Sequence, residues 1–552
     1  MARRAHAYPQ VEPGAGAIVN VGVVAAKGEA TVGEALALAR TRNATAVGLG
    51  QAWVLREDLA RGVALGLGDL SAAALARPLP VVEAATPEVT VRRQLAAGAP
   101  VVIVRQHRRP FGGVSLPMLR YRPVPGLGRG IAAKLPPERR ALLDAVRSVA
   151  EDQRVRVFVT GGAVRDGLRG RASRPGAWRD FDLVVEGDGL RFARALAEGL
   201  GVEPRAITEH ARFLTASLAV PDGGRLDVAT ARSERYEVRG ALPRVVPATI
   251  GQDLARRDFT VNALAVDLGA EGLDVLDPFG GRHDLARRSL RVLHPLSFVE
   301  DPTRIFRAAR YAVRLDFTLD RWSARTQALA LGLGPYPALS GQRLAAELTL
   351  ILDEAGAELA LRRLGASGAF RLIEPRFRFQ RATAARLSAL AATRRWTELH
   401  RLRVTSLELA VLALLIDQAP PVREASLARL GFTGESAARL ARALAATPPA
   451  TTGRPSDRAR GLGGRDDLQL VGLWLAGSAR TRAGVEWFVR QARTVRPLLR
   501  GDEVVALGVG PGPQVAEVLG GLRDARLDGA VSDRDAETAY VRDWVARRRK
   551  EG

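Results

Sequence analysis

The sequence predicts a multidomain chain that is α/β in its first half and all-helical in its second half. Its 552 residues are enough for several domains, and 47% of them are apolar, so each domain can bury a core. Short alternating segments separated by glycine turns mark the first half, as in residues 155–159 before Gly161. From Asp284 onward the apolar residues recur at helical spacing instead.

Residues 15–118 form the first predicted unit and contain two similar halves. In the first half a helical pattern opens near Ala30 after a strand, and the second half runs from Pro80 to Ser115. The two halves resemble a pair of CBS domains, which implies an α/β fold and, in some such pairs, binding of adenosine nucleotides. Because the positions that contact ligand look degenerate, we expect a structural or dimerising role, with a homodimer through this pair. Nucleotide sensing is the alternative.

A glycine turn follows the first predicted strand of the next unit. Residues 155–159 alternate like a half-buried strand, Gly161 and Gly162 let the chain turn, and a helix is predicted to begin near Ala163. Backbone N–H groups at such a turn can approach phosphate oxygens, and a helix N-terminus favours negative charge. A Gly-Gly turn alone is a weak signal, so it gains weight only from the motifs that follow.

Two carboxylates lie on the next predicted strand. Residues two apart in a strand point to the same face, so Asp180 and Asp182 project together while Phe181 and Leu183 enter the core. Mg2+ prefers oxygen ligands and is usually held by one or two carboxylates together with substrate phosphates. The pair is therefore a predicted Mg2+ site for nucleotidyl transfer, where two ions can clamp the attacking and leaving oxygens. A solvated strand edge is the alternative.

Three later motifs extend this pattern. They are RRDFTVNA at residues 256–263, DPFGG at 277–281 and EDPTRIFRAAR at 300–310. With the glycine turn and the carboxylate pair before them, they resemble the class II tRNA nucleotidyltransferase and bacterial poly(A) polymerase family over residues 155–375. The resemblance implies a polymerase-beta-like nucleotidyltransferase head, built from a mixed sheet with helices, and a helical RNA-binding body and tail.

The domain boundaries follow from these motifs and from composition. A Pro/Gly-rich linker is predicted at residues 119–137, the catalytic head at 138–283, and a helical neck for nucleotide-base recognition at 284–375. Residues 376–552 are the predicted helical body and tail, which bind tRNA. Within the tail, residues 501–512 resemble a short RNA-facing helix-loop-helix of the family, and an ordinary inter-helix turn is the alternative.

The resemblance also implies roles for matching positions. Asp180 and Asp182 would hold the metal, and Asp227 would be a third catalytic carboxylate near the RNA 3′-hydroxyl; a surface aspartate is the alternative for Asp227. Arg165 would bind the triphosphate bidentately, or would instead pair with Asp166 structurally. The implied nucleotide-binding set is Gly161, Gly162, Arg165, Asp166, Arg232, Arg256, Arg257, Asp258 and Asn262 (on the ribose side), Asp301, Arg304, Arg307 and Arg310.

A predicted helix over residues 301–314 carries the base-recognition signal. Asp301, Arg304, Arg307 and Arg310 recur at spacings of three beside an apolar stripe. In the family, the positions that match Asp301 and Arg304 read the base edge of the incoming CTP or ATP. An intrahelical salt bridge worth about 0.2–0.5 kcal/mol is the alternative. Residues 340–343 resemble the start of a family helix that braces this segment.

The charge of the chain is consistent with an RNA partner. There are 82 Lys+Arg against 59 Asp+Glu, a formal net charge of +23, and nearly all of the positive charge is guanidinium. Such a field attracts polyphosphate and makes affinity salt-dependent. A high-GC genome would explain Arg over Lys, but not the excess over acids. With 5% aromatic residues, we expect recognition of folded tRNA through its backbone and shape rather than through base stacking.

Cysteine, histidine and hydropathy exclude other classes of protein. The chain has no cysteine, which rules out disulfides and thiolate metal sites, and its six histidines show no zinc-ligand spacing. No apolar run approaches the ~20 residues of a membrane helix, and residues 409–416 predict a buried helix. Residues 15–26 only faintly imitate a signal peptide, so we expect a cytoplasmic protein without membrane contact.

The predicted function is template-independent addition of CCA, or of its terminal A alone, to tRNA 3′ ends from CTP and ATP with Mg2+. A bacterial poly(A) polymerase is the nearer alternative, because the head motifs are shared. A noncatalytic RNA-binding or adenylate-sensing protein is the more distant one. It would require a broken carboxylate motif, whereas Asp180 and Asp182 are both present.

Overall fold

The computed structural model describes residues 14–115, 124–171, 180–220, 224–269, 273–449 and 453–551. The chain divides into two units, Met1–Arg343 and Leu344–Gly552. In the described residues, all strands belong to the first unit and the second unit is helical. The predicted order of an α/β part followed by a helical part is therefore confirmed.

The first unit begins with a duplicated β-α-β-β arrangement. In each half a parallel strand pair is followed by an antiparallel pair, which gives two three-stranded sheets of the same order. We call residues 14–115 the N-terminal repeat pair. Its elements are β1 (Gly22–Ala25), α1 (Val32–Thr41), β2 (Ala44–Leu49), β3 (Ala52–Leu55), α2 (Arg56–Ala64), β4 (Val81–Glu83), α3 (Glu88–Ala96), β5 (Val102–Gln106) and β6 (Arg109–Val114).

The two halves of the repeat pair share a hydrophobic core. Ala46, Trp53 and Leu55 of the first half pack with Val101 and Ile103 of the second half, and all five are buried. Neither half could bury its apolar sheet face alone, so the halves fold as one body. The end of the predicted N-terminal unit and the start of the predicted linker, residues 116–123, lie outside the described residues.

The head is built on a seven-stranded mixed sheet in the order β15-β14-β7-β8-β11-β10-β9, and a separate hairpin, β12–β13, lies beside it. A mixed sheet with helices is the architecture predicted from the sequence. The head elements are α4 (Leu127–Ala132), α5 (Pro137–Gln153), β7 (Arg156–Thr160), α6 (Gly162–Leu168), β8 (Asp180–Glu186), α7 (Gly189–Gly199), β9 (Ile207–His210), β10 (Thr215–Ala219), β11 (Arg225–Thr230), β12 (Arg232–Arg235), β13 (Arg244–Pro247), α8 (Ile250–Ala255), β14 (Ala265–Asp267), β15 (Val275–Leu276) and α9 (Gly281–Ala286).

Strand β8 fixes which face of the sheet carries the polar groups. Phe181 and Leu183 are 4% and 0% exposed and pack with α5 and α7, as the alternation predicts. Val184 belongs to a second core on the opposite face. Asp180 and Asp182 therefore share the side of the sheet that faces away from α5 and α7.

The structure differs from the predicted linker, because part of that stretch belongs to the head. Ile131 in α4 and Leu135 after it are 4% and 3% exposed and join the main core of the sheet. A Cβ on Gly128 would lie 2.0 Å from the carbonyl oxygen of Leu273, so the glycine allows two backbones to touch. The Pro/Gly-rich composition here reflects close packing rather than a spacer.

The neck differs in two details from the helical segment predicted for residues 284–375. It contains a short parallel pair of strands, Ser289–Leu290 with Thr318–Leu319, and its main helix starts late. The helix predicted over residues 301–314 begins two residues later, because Asp301 precedes Pro302 and is extended, with φ −135° and ψ 95°. Asp301 thus lies in a sharp break between two helices. The neck elements of the first unit are β16 (Ser289–Leu290), α10 (Ser297–Glu300), α11 (Thr303–Arg314), β17 (Thr318–Leu319) and α12 (Arg321–Gly332).

The second unit consists of helices. Helix α17 is buried from Glu408 to its end at Leu415, which agrees with the buried helix predicted for residues 409–416 except at Ile416. Helices α23 and α24 enclose the predicted turn of the tail. In the described residues, no helix has both the length and the hydropathy needed to cross a bilayer. The helices are α13 (Gly341–Leu352, which starts in the first unit), α14 (Ala357–Ser367), α15 (Arg381–Ser388), α16 (Leu390–Leu399), α17 (Ser406–Leu415), α18 (Pro420–Arg429), α19 (Gly434–Leu444), α20 (Pro455–Leu462), α21 (Asp467–Ala476), α22 (Ala479–Arg490), α23 (Gly501–Ala506), α24 (Pro513–Leu527) and α25 (Arg534–Glu551).

Candidate active site

A cavity of about 580 Å³ opens on the polar side of the head sheet and extends to the start of α11. It collects most of the residues that the sequence motifs single out. Asp180, Arg165, Asp166 and Arg310 are not part of its lining. The predicted residues that line it are Gly161, Gly162, Asp182, Asp227, Arg232, Arg256, Arg257, Asp258, Asn262, Asp301, Arg304 and Arg307.

Strand pairing brings the carboxylates together on the cavity floor. Strands β8 and β11 are parallel, and their register sets Asp182 directly opposite Asp227 and Asp180 directly opposite Arg225. Asp180 and Asp182 are both exposed on this face. One oxygen of Asp180 accepts a hydrogen bond of 2.9 Å from the backbone N–H of Arg225, which orients that side chain.

Asp182 is the carboxylate with the least internal compensation. In the part of the chain that the structure describes, no hydrogen-bond donor is recorded for its side chain. Desolvation by the surrounding protein raises the pKa of Asp182. The charge of Arg257 opposes this rise, and the charge of Asp227 adds to it. A cation bound to this carboxylate would compensate for its lost hydration and would offset its repulsion by Asp227.

Asp227 is held in place by its own strand and by β10. Arg225 donates to both of its oxygens at 2.9 Å, and the hydroxyl of Ser217 on β10 donates a further short hydrogen bond. Asp227 is thus oriented beside Asp182 but is already paired. The prediction that it is a third catalytic carboxylate, rather than a surface aspartate, stays a prediction.

The donor set suits Mg2+, since Asp180 and Asp182 offer only carboxylate oxygens on one strand face. Over the described ranges, no group of three or more carboxylate or histidine side chains is arranged to hold a metal ion. Asp227 and one oxygen of Asp180 are hydrogen-bonded to Arg225 instead. Two carboxylates are nevertheless the number with which proteins usually hold Mg2+, because nucleotide phosphates and water complete its coordination.

The glycine turn forms one wall of the cavity. Gly161 follows β7 with a φ of +70°, and α6 begins at Gly162, one residue before the predicted start. A Cβ on Gly161 would lie 3.0 Å from Nη1 of Arg257 and 3.4 Å from Oδ2 of Asp182. The missing side chain therefore keeps open the space between the carboxylate and the guanidinium.

Three arginines face this turn, and two of them share one buried aspartate. Asp253 is 0% exposed, and its oxygens accept from Arg256 at 2.6 Å and from Arg257 at 3.1 Å. Burial opposes ionisation of Asp253, but the charges of Arg256 and Arg257 outweigh it and lower the pKa. The sequence motifs did not single out Asp253, although it lies on α8 three and four residues before Arg256 and Arg257, a spacing that favours ion pairs.

Arg232 is the arginine of this group with an unused donor. Its Nε makes no hydrogen bond among the described residues, and the nearest carboxylate oxygen, on Glu234, is 3.8 Å away. Burial lowers the pKa of Arg232, and the charge of Arg256 lowers it further. An anion in the cavity would offset both effects, which is the environment expected of a phosphate-binding guanidinium.

Arg165 is engaged in the protein rather than turned to the cavity. Its guanidinium donates to both oxygens of Asp166, at 3.0 and 2.9 Å, and to Oδ1 of Asn262 at 2.7 Å. Only 2% of its surface is exposed. The observed arrangement is the structural pairing with Asp166, which the sequence offered as the alternative to triphosphate binding. Through the hydrogen bond to Oδ1 it contacts Asn262, which does line the cavity.

Asp258 continues the same network to α11. It accepts from Asn262 at 3.0 Å and from Arg307 at 2.8 and 2.6 Å. Burial by itself would raise the pKa of Asp258, but the charge of Arg307 and the Asn262 hydrogen bond outweigh it and hold the pKa at about 2. Arg310 lies outside the cavity lining and packs its guanidinium over the ring of Tyr311, a cavity residue that the motifs did not single out.

Asp301 and Arg304 face the cavity with separate partners. Arg304 donates to Oγ of Ser297 and to the carbonyl of Arg256, both at 2.7 Å, while Asp301 pairs with Arg343 at 2.8 Å. The intrahelical salt bridge considered above is therefore not the arrangement observed. Both residues line the cavity, and Arg343, which resembles part of a bracing helix of the family, is paired with Asp301.

Known proteins match this chain across both the head and the helical part. A model of the poly A polymerase head domain matches residues 157–291. A CC-adding tRNA nucleotidyltransferase of Deinococcus radiodurans is 34% identical over 422 residues, which cover 76% of this chain and 97% of that protein. The chain belongs to the tRNA nucleotidyltransferase family. The residues matched by the head-domain model include the glycine turn, the carboxylates on β8 and β11, and Arg232, Arg256 and Arg257.

Other relatives in the family differ in length. An A-adding tRNA nucleotidyltransferase of Geobacter sulfurreducens is 34% identical over 446 residues, covering 77% of this chain but 49% of that protein. This chain thus spans about half of that relative's length. The solved Thermotoga maritima CCA-adding enzyme complexed with tRNA_CCA aligns with a TM-score of 0.63 and 25% identity, covering 76% of this chain and 98% of that chain.

Proposed function

We propose that this protein adds nucleotides to the 3′ end of tRNA without a nucleic-acid template, building CCA or adding its terminal A. The observation that carries the proposal is one cavity that holds Asp182, a glycine turn, arginines and the Asp301–Arg304 pair. Relatives named for CC addition and for A addition support tRNA as a partner, and solved CCA-adding enzymes in complex with CTP and with ATP support these nucleotides.

The proposed chemistry is in-line attack of the RNA 3′-hydroxyl on the α-phosphate of the bound nucleotide, with pyrophosphate leaving. Enzymes of this family generally use a divalent metal, and Asp180 and Asp182 would hold Mg2+, which would stabilise the charge that develops on the phosphate. Arg232 and Arg257 would neutralise the triphosphate. Asp227, oriented by Arg225, would lie near the attacking hydroxyl.

The base would be selected at the other end of the cavity. Asp301 is a hydrogen-bond acceptor and Arg304 a fork of donors, so together they can match the edge of cytosine or adenine. Asp258 and Asn262, which are fixed by Arg307 and Arg165, would orient the ribose between the base and the phosphates. This division of labour is the one that the resemblance implies for the matching positions.

Three tRNA substrates, ending at the discriminator base, at C or at CC, would test the proposal when CTP and ATP are offered separately. Incorporation of C followed by A identifies CCA addition, and incorporation of A only after CC identifies A addition. Long A tails on any RNA end would identify the poly(A) polymerase alternative instead. No incorporation by folded protein would leave the noncatalytic alternative.

We also infer that the N-terminal repeat pair is a CBS-like pair. Its duplicated β-α-β-β topology and shared core support this proposal. A homodimer through this pair stays a prediction, which sedimentation equilibrium of the full chain would test. The cytoplasmic location stays a prediction as well.

A further inference from the structure

The N-terminal repeat pair is bound to the neck by polar contacts that are distant in sequence. Arg77, just after the first half, donates to both oxygens of Asp58 at 2.5 and 2.7 Å and to the carbonyl of Leu293 at 2.8 Å. Its guanidinium also lies over the ring of Trp322, whose indole N–H donates to the carbonyl of Ala76 at 2.8 Å. The first half is therefore fastened to the segment that leads into α10.

The second half is fastened to the DPFGG motif. A Cβ on Gly280 would lie 2.2 Å from the carbonyl oxygen of Ala97, and a Cβ on Gly98 would lie 2.1 Å from that of Phe279. The two backbones are thus in direct contact, which only glycine permits at both positions. Both halves are therefore held directly against the head and neck. A side chain of the repeat pair can then make contacts of fixed geometry with residues of the head and neck.

One side chain of the repeat pair reaches the residue next to Asp301. Arg61 on α2 donates from Nη1 to Oε1 of Glu300 at 3.1 Å, and it also pairs with Glu57 at 3.0 Å on its own helix. The Glu300 side chain is 6% exposed, and its other oxygen lies 3.2 Å from Nε2 of His294. Arg61 is therefore a principal charged partner of a buried carboxylate in the neck.

Glu300 lies at the centre of the segment that shapes the base-binding end of the cavity. It ends α10, whose Ser297 holds Arg304 at 2.7 Å. Its carbonyl accepts from the N–H of Gly240 at 3.1 Å, and the carbonyl of Gly240 accepts from Arg343, the residue that pairs with Asp301. A displacement of Glu300 would therefore move Arg304 through Ser297, and it would move Asp301 through Gly240 and Arg343.

The electrostatics make Arg61 difficult to replace. Burial by itself would raise the pKa of Glu300, but His294 and the charges of Arg61 and Arg304 outweigh it and lower the pKa, so the side chain stays ionised. A buried charge that loses a partner must find another one or move toward water. The groups left to act on Glu300 would be His294, 3.2 Å away, and the charge of Arg304, which is the residue expected to read the base.

We propose that Arg61 is a positioning residue for nucleotide selection: by holding Glu300, it keeps Asp301 and Arg304 in the arrangement that reads the base. The N-terminal repeat pair thereby becomes part of the specificity apparatus of the head and neck. This inference rests on the proposed function.

The test compares full-length wild type with Arg61→Met, which keeps the aliphatic length and removes the charge. Arg61→Lys is the conservative rescue, and Arg56→Met is the matched control, because Arg56 lies on the same helix and bonds to Asn43 at 3.2 Å within the repeat pair. For each protein, kcat and KM are measured with the correct nucleotide, misincorporation is measured with UTP and GTP, and thermal unfolding is recorded.

We expect Arg61→Met to lower kcat/KM for the correct nucleotide by about 3- to 10-fold and to raise relative misincorporation by a similar factor. Arg61→Lys should restore most of the discrimination, and Arg56→Met should behave as wild type. In the double variant Arg61→Met/Glu300→Gln, the two effects on discrimination should not add, because both remove the same contact.

The inference is overturned if Arg61→Met discriminates among nucleotides as wild type does, whether or not its unfolding temperature falls. It is also overturned if Arg56→Met loses discrimination to the same extent, since the effect would then be a general one of the repeat pair. A wild-type protein that extends no tRNA would overturn the proposed function itself, and the inference with it. Wild-type extension with unchanged variants would overturn only the inference.

Discussion

Among single residues, the charged side chains of the cavity are of two kinds: some are paired with an opposite charge of the protein at hydrogen-bond distance, and others are not. Asp253, Asp258 and Asp227 are all held by arginines at hydrogen-bond distance. Asp182 has no such partner recorded within the described residues, and Arg232 keeps an unused Nε donor. A nucleotide triphosphate with a divalent cation would complement the Asp182 carboxylate and the unused Nε donor of Arg232, so these are the residues whose substitution should change chemistry more than stability.

Asp182→Ala should abolish nucleotide incorporation without unfolding the protein. We expect a loss of at least about 10²-fold in kcat, because the carboxylate acts on charge that develops in the transition state. The assay is single-turnover extension of tRNA, accompanied by thermal unfolding. Asp188→Ala is a suitable control, since Asp188 caps α7 and its loss should cost about 1 kcal/mol of stability while leaving chemistry intact. Near-normal turnover of Asp182→Ala would reject the assignment.

Asp258 should make a contribution to stability that depends on pH. The network around Asp258 lowers its pKa from 3.8 to about 2, with burial opposing and Arg307 and Asn262 favouring the charged form. A carboxylate with a lowered folded-state pKa stabilises the fold above its unfolded value and loses this effect as the pH falls through the folded value. We therefore expect Asp258→Asn to cost about 2 kcal/mol at pH 7, and less between about pH 4 and pH 2.

Denaturant titrations of wild type and Asp258→Asn at pH 7, 4 and 3 would measure this difference in the free energy of unfolding. Asp316→Asn provides a control, because its pair with Arg288 is 3.4 Å long and its side chain is 92% exposed. A gap between wild type and Asp258→Asn that is equally large at every pH would contradict the linkage.

At the scale of elements, the site depends on how β7, β8 and β11 are paired. The antiparallel β7–β8 pair sets Thr160 across from Asp182, and the parallel β8–β11 pair sets Asp227 on its other side. The turn after β7 then folds back beside these residues. A one-residue slip of β8 or of β11 would turn the carboxylates of that strand to the opposite face, so the register is as important to the site as the residues themselves.

Gly161→Ala should impair nucleotide use more than stability. The positive φ of +70° costs a residue with a side chain about 1–3 kcal/mol, and the new Cβ would also meet Arg257 at 3.0 Å. We expect KM for the nucleotide to rise, as measured by steady-state extension. Gly170→Ala is a matched control, because its φ is +73° but its Cβ would enter open space. Equal effects of the two substitutions on KM would show that strain alone is responsible.

At the scale of the whole molecule, the formal net charge of +23 should govern association with RNA. Counterion release predicts that the Kd for tRNA rises roughly tenfold or more between 50 and 200 mM salt. Fluorescence anisotropy with labelled tRNA would measure the slope of log Kd against log salt concentration. A flat dependence would favour the genomic explanation of the arginine content. As a control for the label, competition with unlabelled tRNA should give the same slope of log Kd against log salt concentration.

Much of the fold and part of the site could be predicted from local pattern. Alternation predicted that Phe181 and Leu183 are buried while Asp180 and Asp182 share the other face, and the structure agrees. The mixed sheet of the head, the helical second unit and the turn at Gly161 were predicted as well. These features depend on backbone geometry and on the period of apolar residues, which act over a few positions.

The errors in prediction have physical causes. Composition alone indicated a linker where Gly128 allows close packing, and the helical spacing of residues 301–314 could not reveal that Pro302 forces Asp301 out of the helix. The sequence also could not decide between two partners for Arg165, because both a phosphate and Asp166 satisfy the same donors.

Local sequence pattern was sufficient to predict candidate residues for phosphate and metal chemistry and the strand faces on which they lie. Three contacts required the folded chain: Asp182 facing Asp227, Asp253 holding Arg256 and Arg257 at the cavity, and Arg61 reaching Glu300 across 239 residues. Local periodicity follows from the geometry of one element. Contacts between distant residues follow from strand register and from the burial of whole surfaces, which no short stretch of sequence specifies.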